Sequence, residues 1–238
     1  MSKKVLVTGA SRGIGYAIAE SFALHGYEVF ATYNKTSDTL PALSDALAAH
    51  GASLIPIHCD VSSEESIKKM FSEIEDIDIL VNNAGIAHVA LLSDITTDDW
   101  DRIFDTNLKS VFLTIKEASK SMIAKQSGKI INISSVWGLY GGACESHYSA
   151  TKAGMIGLTK ALAKELGPSG ICVNCIAPGV IDTDMNADLS AEDIAELCDR
   201  TPLGKIGKPS DVAHAALFLA EADFVTGEVI SVGGGFTM

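Results

Sequence analysis

The sequence predicts a single α/β domain in which a parallel, doubly wound sheet of seven strands carries helices on both faces. Apolar, β-branched runs alternate with runs of helical periodicity along the whole chain of 238 residues. Such alternation is typical of parallel sheets, because each strand needs a crossover before the next one. No linker, repeat or low-complexity segment interrupts the pattern, so residues 1–238 are predicted to form one domain.

The change between the two periodicities places each element. Strands are predicted at residues 3–8, 28–33, 53–58, 77–81, 129–133, 171–176 and 228–232. Helices are predicted at residues 16–24, 38–50, 63–75, 98–124, 147–166, 189–200 and 210–220. Gly167-Pro168 is a stop signal for the fifth helix. Asn107 lies inside the fourth helix, where asparagine marks a local distortion or a polar contact.

Composition restricts the class of protein. No apolar run reaches the roughly 20 residues that span a bilayer. Thr8-Gly9 ends the first apolar run too early for a signal peptide, so a cytoplasmic location is expected. A formal net charge of −12 repels nucleic acid and other polyanions.

The five cysteines are scattered and odd in number, which argues against a disulfide framework. Cys172 and Cys175 have the spacing of a redox pair, but residues three apart in a strand point to opposite faces. Structural roles are therefore expected for both. No group of His, Cys and carboxylate residues has the spacing of a metal site, and no metal is expected.

A glycine-rich turn joins the first strand to the first helix. Gly9, Gly13 and Gly15 follow the pattern G-x-x-x-G-x-G. Glycines allow the backbone to approach a pyrophosphate closely, and the amides and dipole of a helix start favour its charge. The turn therefore predicts a dinucleotide site.

The end of the second strand indicates which dinucleotide is bound. About 20 residues past the glycine turn, an NAD site would place an acid on the ribose 2′-hydroxyl, whereas a 2′-phosphate needs a cation. Here Tyr33-Asn34-Lys35 occupies that place, and Arg12 is a second cation nearby. Both cations favour NADPH, and Asp38 is the only acid close by.

Polar residues follow the third and fourth strands. Asp60 could accept a hydrogen bond from an adenine amino group, or it could cap the next helix, as could Ser62 or Ser63. Asn82-Asn83-Ala84-Gly85 would let the chain pass beneath a cofactor ribose.

Tyr148 and Lys152 are predicted to share one face of a helix, because they lie four residues apart. An ammonium a few ångströms away lowers the pKa of a phenol, which would suit Tyr148 to proton transfer with a substrate oxygen. Ser135, at the end of the fifth strand, could hold that oxygen. Taken alone, the pair is also compatible with a surface Tyr and Lys on an amphipathic helix.

Together these residues resemble the short-chain dehydrogenase/reductase family, and the match spans nearly the whole chain. The shared motifs are residues 8–15, Asn82-Asn83-Ala84-Gly85, Asn107, Ser135, Tyr148 with Lys152, and Pro178-Gly179. The resemblance implies a Rossmann fold and a catalytic tetrad of Asn107, Ser135, Tyr148 and Lys152, with Asn107 supporting a water relay to Lys152. It implies cofactor contacts at Gly9, Ser11, Arg12, Gly13, Ile14, Gly15, Asn34, Lys35, Asp60, Val61, Asn83, Ala84, Gly85, Tyr148, Lys152, Pro178, Gly179, Ile181 and Thr183.

Within the family, the chain looks most like bacterial 3-oxoacyl-[acyl-carrier-protein] reductases, by its length, Thr183-Asp184-Met185 and Gly233-Gly234-Gly235. In those enzymes, basic residues before the glycines that enter strands five and six help to dock an acidic carrier protein. Here Gln126 and Ser169 stand at those positions, although Lys125 and Lys129 are close.

Residues 137–148 and 174–183 look like a second subgroup, the elongation factor P 5-aminopentanone reductases. The substrate pocket is assigned to Ser135, Trp137, Cys144 and Glu145. Glu145 could pair with an amine-bearing substrate, or it could be an exposed acid stabilised by the dipole of the helix start. Trp137 could wall the pocket or simply pack.

Two further expectations concern activity and assembly. A protein that binds NADPH without turnover, as a sensor or structural subunit, is an alternative from another class. The flat helix side at Ala153, Gly154 and Gly157, together with the family resemblance, suggests a homotetramer.

Overall fold

The computed structural model describes residues 2–35, 39–187 and 189–236. Its strands are β1 (Lys4–Val7), β2 (Glu28–Tyr33), β3 (Ser53–His58), β4 (Ile79–Asn82), β5 (Gly128–Ile133), β6 (Ile171–Pro178) and β7 (Val229–Val232). They form one parallel sheet in the order β3-β2-β1-β4-β5-β6-β7. The predicted doubly wound sheet of seven strands is confirmed.

Helices cover both faces of this sheet. In the described part of the chain they are α1 (Gly13–Leu24), α2 (Thr39–Ala48), α3 (Glu64–Glu73), α4 (Thr97–Phe104), α5 (Ser110–Ala124), α6 (Val136–Tyr140), α7 (Ser146–Leu166), α8 (Ala191–Asp199) and α9 (Pro209–Glu221). Successive strand residues point to opposite faces. Val5 and Val7 therefore pack with α1, α2 and α9, and Leu6 packs with α3, α5 and α7.

Two elements differ from the sequence prediction. The predicted helix 98–124 is interrupted by a π-helical segment, Asp105–Lys109, that contains Asn107, so the expected distortion is confirmed. Helix α6 is not among the predicted helices, because five residues are too few to show helical periodicity. Helix α2 is described from Thr39 onward, and Asp38 lies outside the described residues.

A buried polar network ties the carboxyl ends of the two central strands to the helices behind them. Asn82 Nδ2 donates to Asn132 Oδ1 at 2.9 Å, and Asn132 Nδ2 donates to Thr159 Oγ1 at 2.9 Å. Thr114 Oγ1 donates to Asn82 Oδ1 at 2.7 Å. Because buried polar groups are costly when unpaired, this network holds β4, β5, α5 and α7 in one arrangement.

All five thiols are free, and Cys175 is buried whereas Cys172 is partly exposed, in keeping with structural roles. None of the helices among the described residues is both long and apolar enough to cross a membrane.

Candidate active site

The glycine loop lies at the carboxyl edge of the sheet, between β1 and β4. Gly9 has a φ of +65°, and a Cβ there would lie 2.7 Å from Ala84 Cα. A Cβ on Gly15 would lie 2.3 Å from the Gly9 carbonyl oxygen. Both positions therefore require glycine, and the close packing brings Ala84 against the loop.

The start of α1 is suited to an anion. Arg12 stands at the N-cap with no side-chain bond to the first turn, and that turn contains no acidic residue. The helix start therefore carries uncapped amides and the positive end of the dipole, which favour a phosphate. Arg12 Nε lies 3.8 Å from Asp184 Oδ2, but both side chains are exposed, and such a pair is worth less than about 1 kcal/mol.

Two loops from other strands meet the glycine loop. Asn83 Nδ2 donates to the Thr8 and Gly9 carbonyl oxygens at 3.0 and 2.9 Å, so its amide holds the loop in shape. A Cβ on Gly13 would lie 3.3 Å from Thr183 Cγ2, which brings the segment after β6 close to the start of α1. The Ile181 side chain is buried in the core.

The segment from Pro178 to Gly179 is packed against the end of the sheet. The Gly179 amide donates to the Val232 carbonyl at 3.0 Å, and a Cβ on Gly179 would lie 2.7 Å from Gly233 Cα. Because Gly233 lies so close, residue 179 must be a glycine, and the same contact fixes the start of the loop that leads to Thr183.

The ends of β2 and β3 form the side of the site assigned to the 2′-phosphate. Asn34 and Lys35 are exposed there. His58 Nε2 lies 2.7 Å from the Asn34 carbonyl oxygen, and its ring packs edge-on against Tyr33. His58 was not predicted as a site residue, because only the strand pairing places it beside Asn34.

Asp60 does not cap α3, since Ser63 accepts the bond from the Ser66 amide. Asp60 Oδ1 instead accepts hydrogen bonds from the Ser62 amide at 2.9 Å and the Ser62 hydroxyl at 2.7 Å. These bonds orient the carboxylate, and Val61 beside it is buried.

Ser135, Tyr148 and Lys152 converge at the end of β5. Ser135 caps α6, accepting the Trp137 amide at 3.1 Å, and its hydroxyl is near enough to the Tyr148 phenol to lower the pKa of that phenol. Lys152 Nζ lies 5.6 Å from the Tyr148 ring centroid and donates to the Ile133 carbonyl at 2.9 Å. All three are buried, so the alternative of a surface Tyr and Lys is wrong.

The pKa of the phenol differs in direction from the prediction. Burial is the main cause that raises the pKa of Tyr148 to about 12. The Ser135 hydroxyl lowers this pKa by a smaller amount, and the charge of Glu145 raises it further. Burial also lowers the pKa of Lys152 to about 8, opposed by the charge of Cys175. The four-residue spacing predicted that the Lys152 ammonium would determine the pKa of Tyr148, whereas burial of the phenol has the larger effect on that pKa.

Asn107 is linked to the Ser135, Tyr148 and Lys152 group through the main chain of the loop after β4. Asn107 Oδ1 accepts from the Ile86 amide at 2.8 Å, and Nδ2 donates to the Ile86 carbonyl at 2.9 Å. A Cβ on Gly85 would lie 3.3 Å from Asn107 Oδ1 and 3.6 Å from Lys152 Nζ. The Asn107 side chain therefore positions the loop after β4 beside Lys152; the water relay stays an expectation.

Two of the predicted pocket residues, Trp137 and Glu145, are partly buried and contact each other. Trp137 Nε1 donates to Glu145 Oε1 at 2.9 Å. Burial raises the pKa of Glu145, and the Trp137 hydrogen bond opposes this rise. Glu145 is thus not the fully exposed acid of the simpler interpretation. Cys144 is exposed with a φ of +60°.

Phe236 was missed by the sequence analysis. Its buried ring packs edge-on against Trp137 with a centroid separation of 5.9 Å, so Trp137 does pack, while its place in a substrate pocket stays a prediction. The Arg200 guanidinium carbon lies 5.4 Å from the centroid of this ring. An aromatic residue near the end of the chain carried no pattern that could have assigned it to the pocket.

Comparison with known proteins agrees with this geometry. A family model described as enoyl-(acyl carrier protein) reductase matches residues 9–237. The chain is 42% identical over 244 residues to the 3-oxoacyl-[acyl-carrier-protein] reductase of Staphylococcus aureus, covering 100% of this chain and 99% of that relative. It is 44% identical to the Escherichia coli K12 protein of the same name, covering 99% of this chain and 98% of the relative.

Solved structures show the same fold. A 3-oxoacyl-[acyl-carrier protein] reductase from Brucella melitensis has a TM-score of 0.93 at 38% identity, covering 99% of this chain and 91% of that one. A candidate 2-deoxy-D-gluconate 3-dehydrogenase from Agrobacterium tumefaciens, solved with bound NADP, has a TM-score of 0.92 at 38% identity, covering 98% and 96% of the two chains.

The agreement covers the full length of the chain as well as its fold. The family model extends from Gly9 of the glycine loop to residue 237, so it includes both the cofactor-side loops and the Ser135, Tyr148 and Lys152 group. The chain therefore belongs to the short-chain dehydrogenase/reductase family.

Proposed function

We propose that the protein reduces a ketone to a secondary alcohol, with NADPH as cofactor and Tyr148 as proton donor. The observation that carries this proposal is the convergence of Ser135 and Lys152 on the buried Tyr148, at the same sheet edge as the glycine loop. A group of this composition can bind a carbonyl oxygen and transfer a proton to it.

The residues at the sheet edge fit a phosphorylated dinucleotide. The uncapped start of α1 would hold the pyrophosphate, and the exposed Lys35 would hold the 2′-phosphate. Asp60 would bind the adenine, and the loop at Asn83-Ala84-Gly85 would support the ribose. When bound, NADPH supplies a hydride to the carbonyl carbon.

Each catalytic side chain has a distinct task. Ser135 orients the carbonyl oxygen next to the phenol. The high pKa of Tyr148 keeps the phenol protonated at neutral pH, which is the form that can donate a proton to the developing alkoxide. Lys152 is an ammonium below about pH 8, and its charge stabilises the phenolate that remains.

A 3-oxoacyl thioester on acyl carrier protein is the first candidate substrate, supported by the relatives of that name in S. aureus and E. coli. The docking surface for an acidic carrier is weak in this chain. Lys125 Nζ is bound to Asp78 at 2.7 Å, and Lys129 Nζ is bound to Asp223 at 2.8 Å. We expect these two lysines to attract an acidic partner less than free lysines would.

An elongation factor P 5-aminopentanone reductase is the second candidate, favoured by Glu145. This carboxylate lies close enough to Tyr148 to affect its pKa and is bound on one oxygen by Trp137. A partly buried carboxylate is suited to an ammonium group on the substrate, because an opposite charge offsets its desolvation.

Assembly and location belong to the same proposal. An apolar groove of about 680 Å³ runs between α5 and α7 beside Gly157, Leu108 and the exposed Phe112. A Cβ on Gly157 would meet nothing within 4 Å. We expect a second copy of the chain to pack into this groove in a cytoplasmic homotetramer.

Steady-state NADPH oxidation tests the proposal with three substrates: free acetoacetyl thioester, carrier-bound acetoacetyl thioester and ketone-modified elongation factor P. Preference for the carrier-bound thioester supports the first candidate, and preference for the modified protein supports the second. Glu145→Gln should lower kcat/KM at least about tenfold only for the amine-bearing ketone. A protein that shifts the NADPH fluorescence but consumes no cofactor with any ketone would instead be a non-catalytic binder.

A further inference from the structure

A pair of histidines lies directly behind the proton donor. His147 precedes Tyr148 in the first turn of α7 and is fully buried. Its Nε2 lies 3.1 Å from His88 Nδ1, and the two rings meet edge to face with a centroid separation of 5.2 Å. No step of the proposed reaction uses this pair.

The histidine pair joins the start of α7 to the loop after β4. His88 belongs to that loop, and the Ala90 amide two residues later donates to the Cys144 carbonyl at 2.8 Å. The other end of the same loop is bound through Ile86 to Asn107. The pair and the Ala90 bond are therefore two connections between the loop and the segment that carries Tyr148.

The hydrogen bond between the imidazoles depends on their proton count. One of the two facing nitrogens must carry a proton and the other must not. If both rings are protonated, two N–H groups face each other at the 3.1 Å separation, and the bond is lost. His147 Nδ1 is buried without a partner, so an additional proton there would also find no acceptor.

The surrounding charges come from the loop after β4 and from α4. Burial lowers the pKa of His147, and the charge of His88 lowers it further; Asp99 raises it and Arg102 lowers it. The net effect keeps His147 neutral at neutral pH, which is the state in which the pair can form its bond.

We propose that His147 is a positioning residue, whose hydrogen bond to His88 holds the first turn of α7 against the loop after β4 and so keeps the Tyr148 phenol in place. The inference rests on the proposed role of Tyr148 in ketone reduction. It predicts that reduction weakens in acid, when the second imidazole of the pair becomes protonated.

The test compares His147→Gln and His147→Phe with the wild type. A glutamine amide can donate to neutral His88 or accept from protonated His88, so it keeps the bond at either proton count. Phenylalanine fills the space but forms no bond. His214→Gln, on the exposed side of α9, is the matched control.

The kcat for ketone reduction is measured from about pH 7.5 to about pH 5, across the titration range of histidine. We expect the wild-type and His214→Gln kcat to fall up to about tenfold per pH unit at the acid end, and the His147→Gln kcat to stay level. His147→Phe should lower kcat at least about tenfold with the KM for NADPH within about twofold, because the glycine loop is untouched. A level wild-type profile, a parallel fall in His147→Gln, or full kcat in His147→Phe would overturn the proposal.

Unfolding by denaturant gives a readout that needs no turnover. Because His147 is less basic when folded, the unfolded chain binds more protons below about pH 6.5, and stability falls as the pH is lowered. His147→Gln should lose less stability over this interval than the wild type. If instead the proposed function fails, the wild type will reduce no ketone at any pH; this overturns the role of His147 in positioning Tyr148 for ketone reduction, while the stability difference persists.

Discussion

Replacement of Tyr148 by phenylalanine tests the proposed proton donor with little change in shape. The Tyr148 ring is only 8% exposed and would remain packed, and the Ser135 hydroxyl would keep its bond from the Trp137 amide. Loss of one phenol hydrogen bond should change the free energy of unfolding by about 1 kcal/mol. Any large loss of activity would therefore reflect chemistry and not unfolding.

The expected loss follows from the role of the phenol. General acid catalysis contributes about 10²- to 10⁴-fold to a rate, which corresponds to about 3 to 5 kcal/mol of transition-state stabilisation. We expect kcat for Tyr148→Phe to fall by at least the lower of these factors. The dissociation constant for NADPH should stay within a few-fold, because the glycine loop at the start of α1 is unchanged.

The assay combines steady-state NADPH oxidation with titration of cofactor fluorescence. Tyr27→Phe is a suitable control, because Tyr27 packs edge-on against Phe22 at the end of α1 and takes no part in the site. A Tyr148→Phe variant that keeps kcat within threefold of the wild type would refute the assignment of Tyr148 as the proton donor.

The remaining predictions address charge, assembly and backbone strain. Ketone reduction should slow as the pH rises through about 8, where Lys152 loses its proton in the folded protein. The contribution of Lys152 to folding stability should rise between about pH 8 and about pH 10.5, because the lysine of the unfolded chain still binds a proton in that interval. A rate of ketone reduction that stays level up to about pH 10.5 would contradict the role of the Lys152 charge. Lys35→Glu should shift the ratio of kcat/KM for NADPH over NADH at least about tenfold toward NADH, and an unchanged ratio would remove Lys35 from the 2′-phosphate site. Gly157→Lys should keep its fold but give smaller species than the wild type by light scattering. Gly167→Lys, at an equally open glycine at the end of α7, should keep the size of the wild type. A wild-type protein that is monomeric by light scattering would contradict the tetramer. Cys144 has a φ of +60°, a conformation that glycine adopts readily and a β-branched residue adopts only with strain. Cys144→Gly should therefore raise the free energy of unfolding by about 0.5 kcal/mol, and Cys144→Val should lower it by about 1 kcal/mol. Equal stability of the two variants in denaturant would show that the strain is absent.

The sequence was sufficient wherever the physical cause is local. Period-two and helical patterns are set by the side chains of one element, and they predicted all seven strands of the sheet to within a few residues. The glycine spacing and the four-residue separation of Tyr148 and Lys152 are likewise local, and both motifs lie where they were expected. Asn107 also marked a real distortion, since an asparagine is unfavourable inside a regular helix and the π-helical segment lies at this residue.

Only the tertiary structure decided the features that depend on burial or on contacts between distant segments. The direction of the Tyr148 pKa required the burial of the phenol, which no spacing rule contains. Phe236 reaches Trp137, and His88 reaches His147, across 99 and 59 residues of chain. Such contacts arise because the parallel sheet brings the carboxyl ends of its strands, and the loops that follow them, to one edge. The local pattern could therefore predict the elements and the motif residues, while the packing of those loops determined the neighbours of each one.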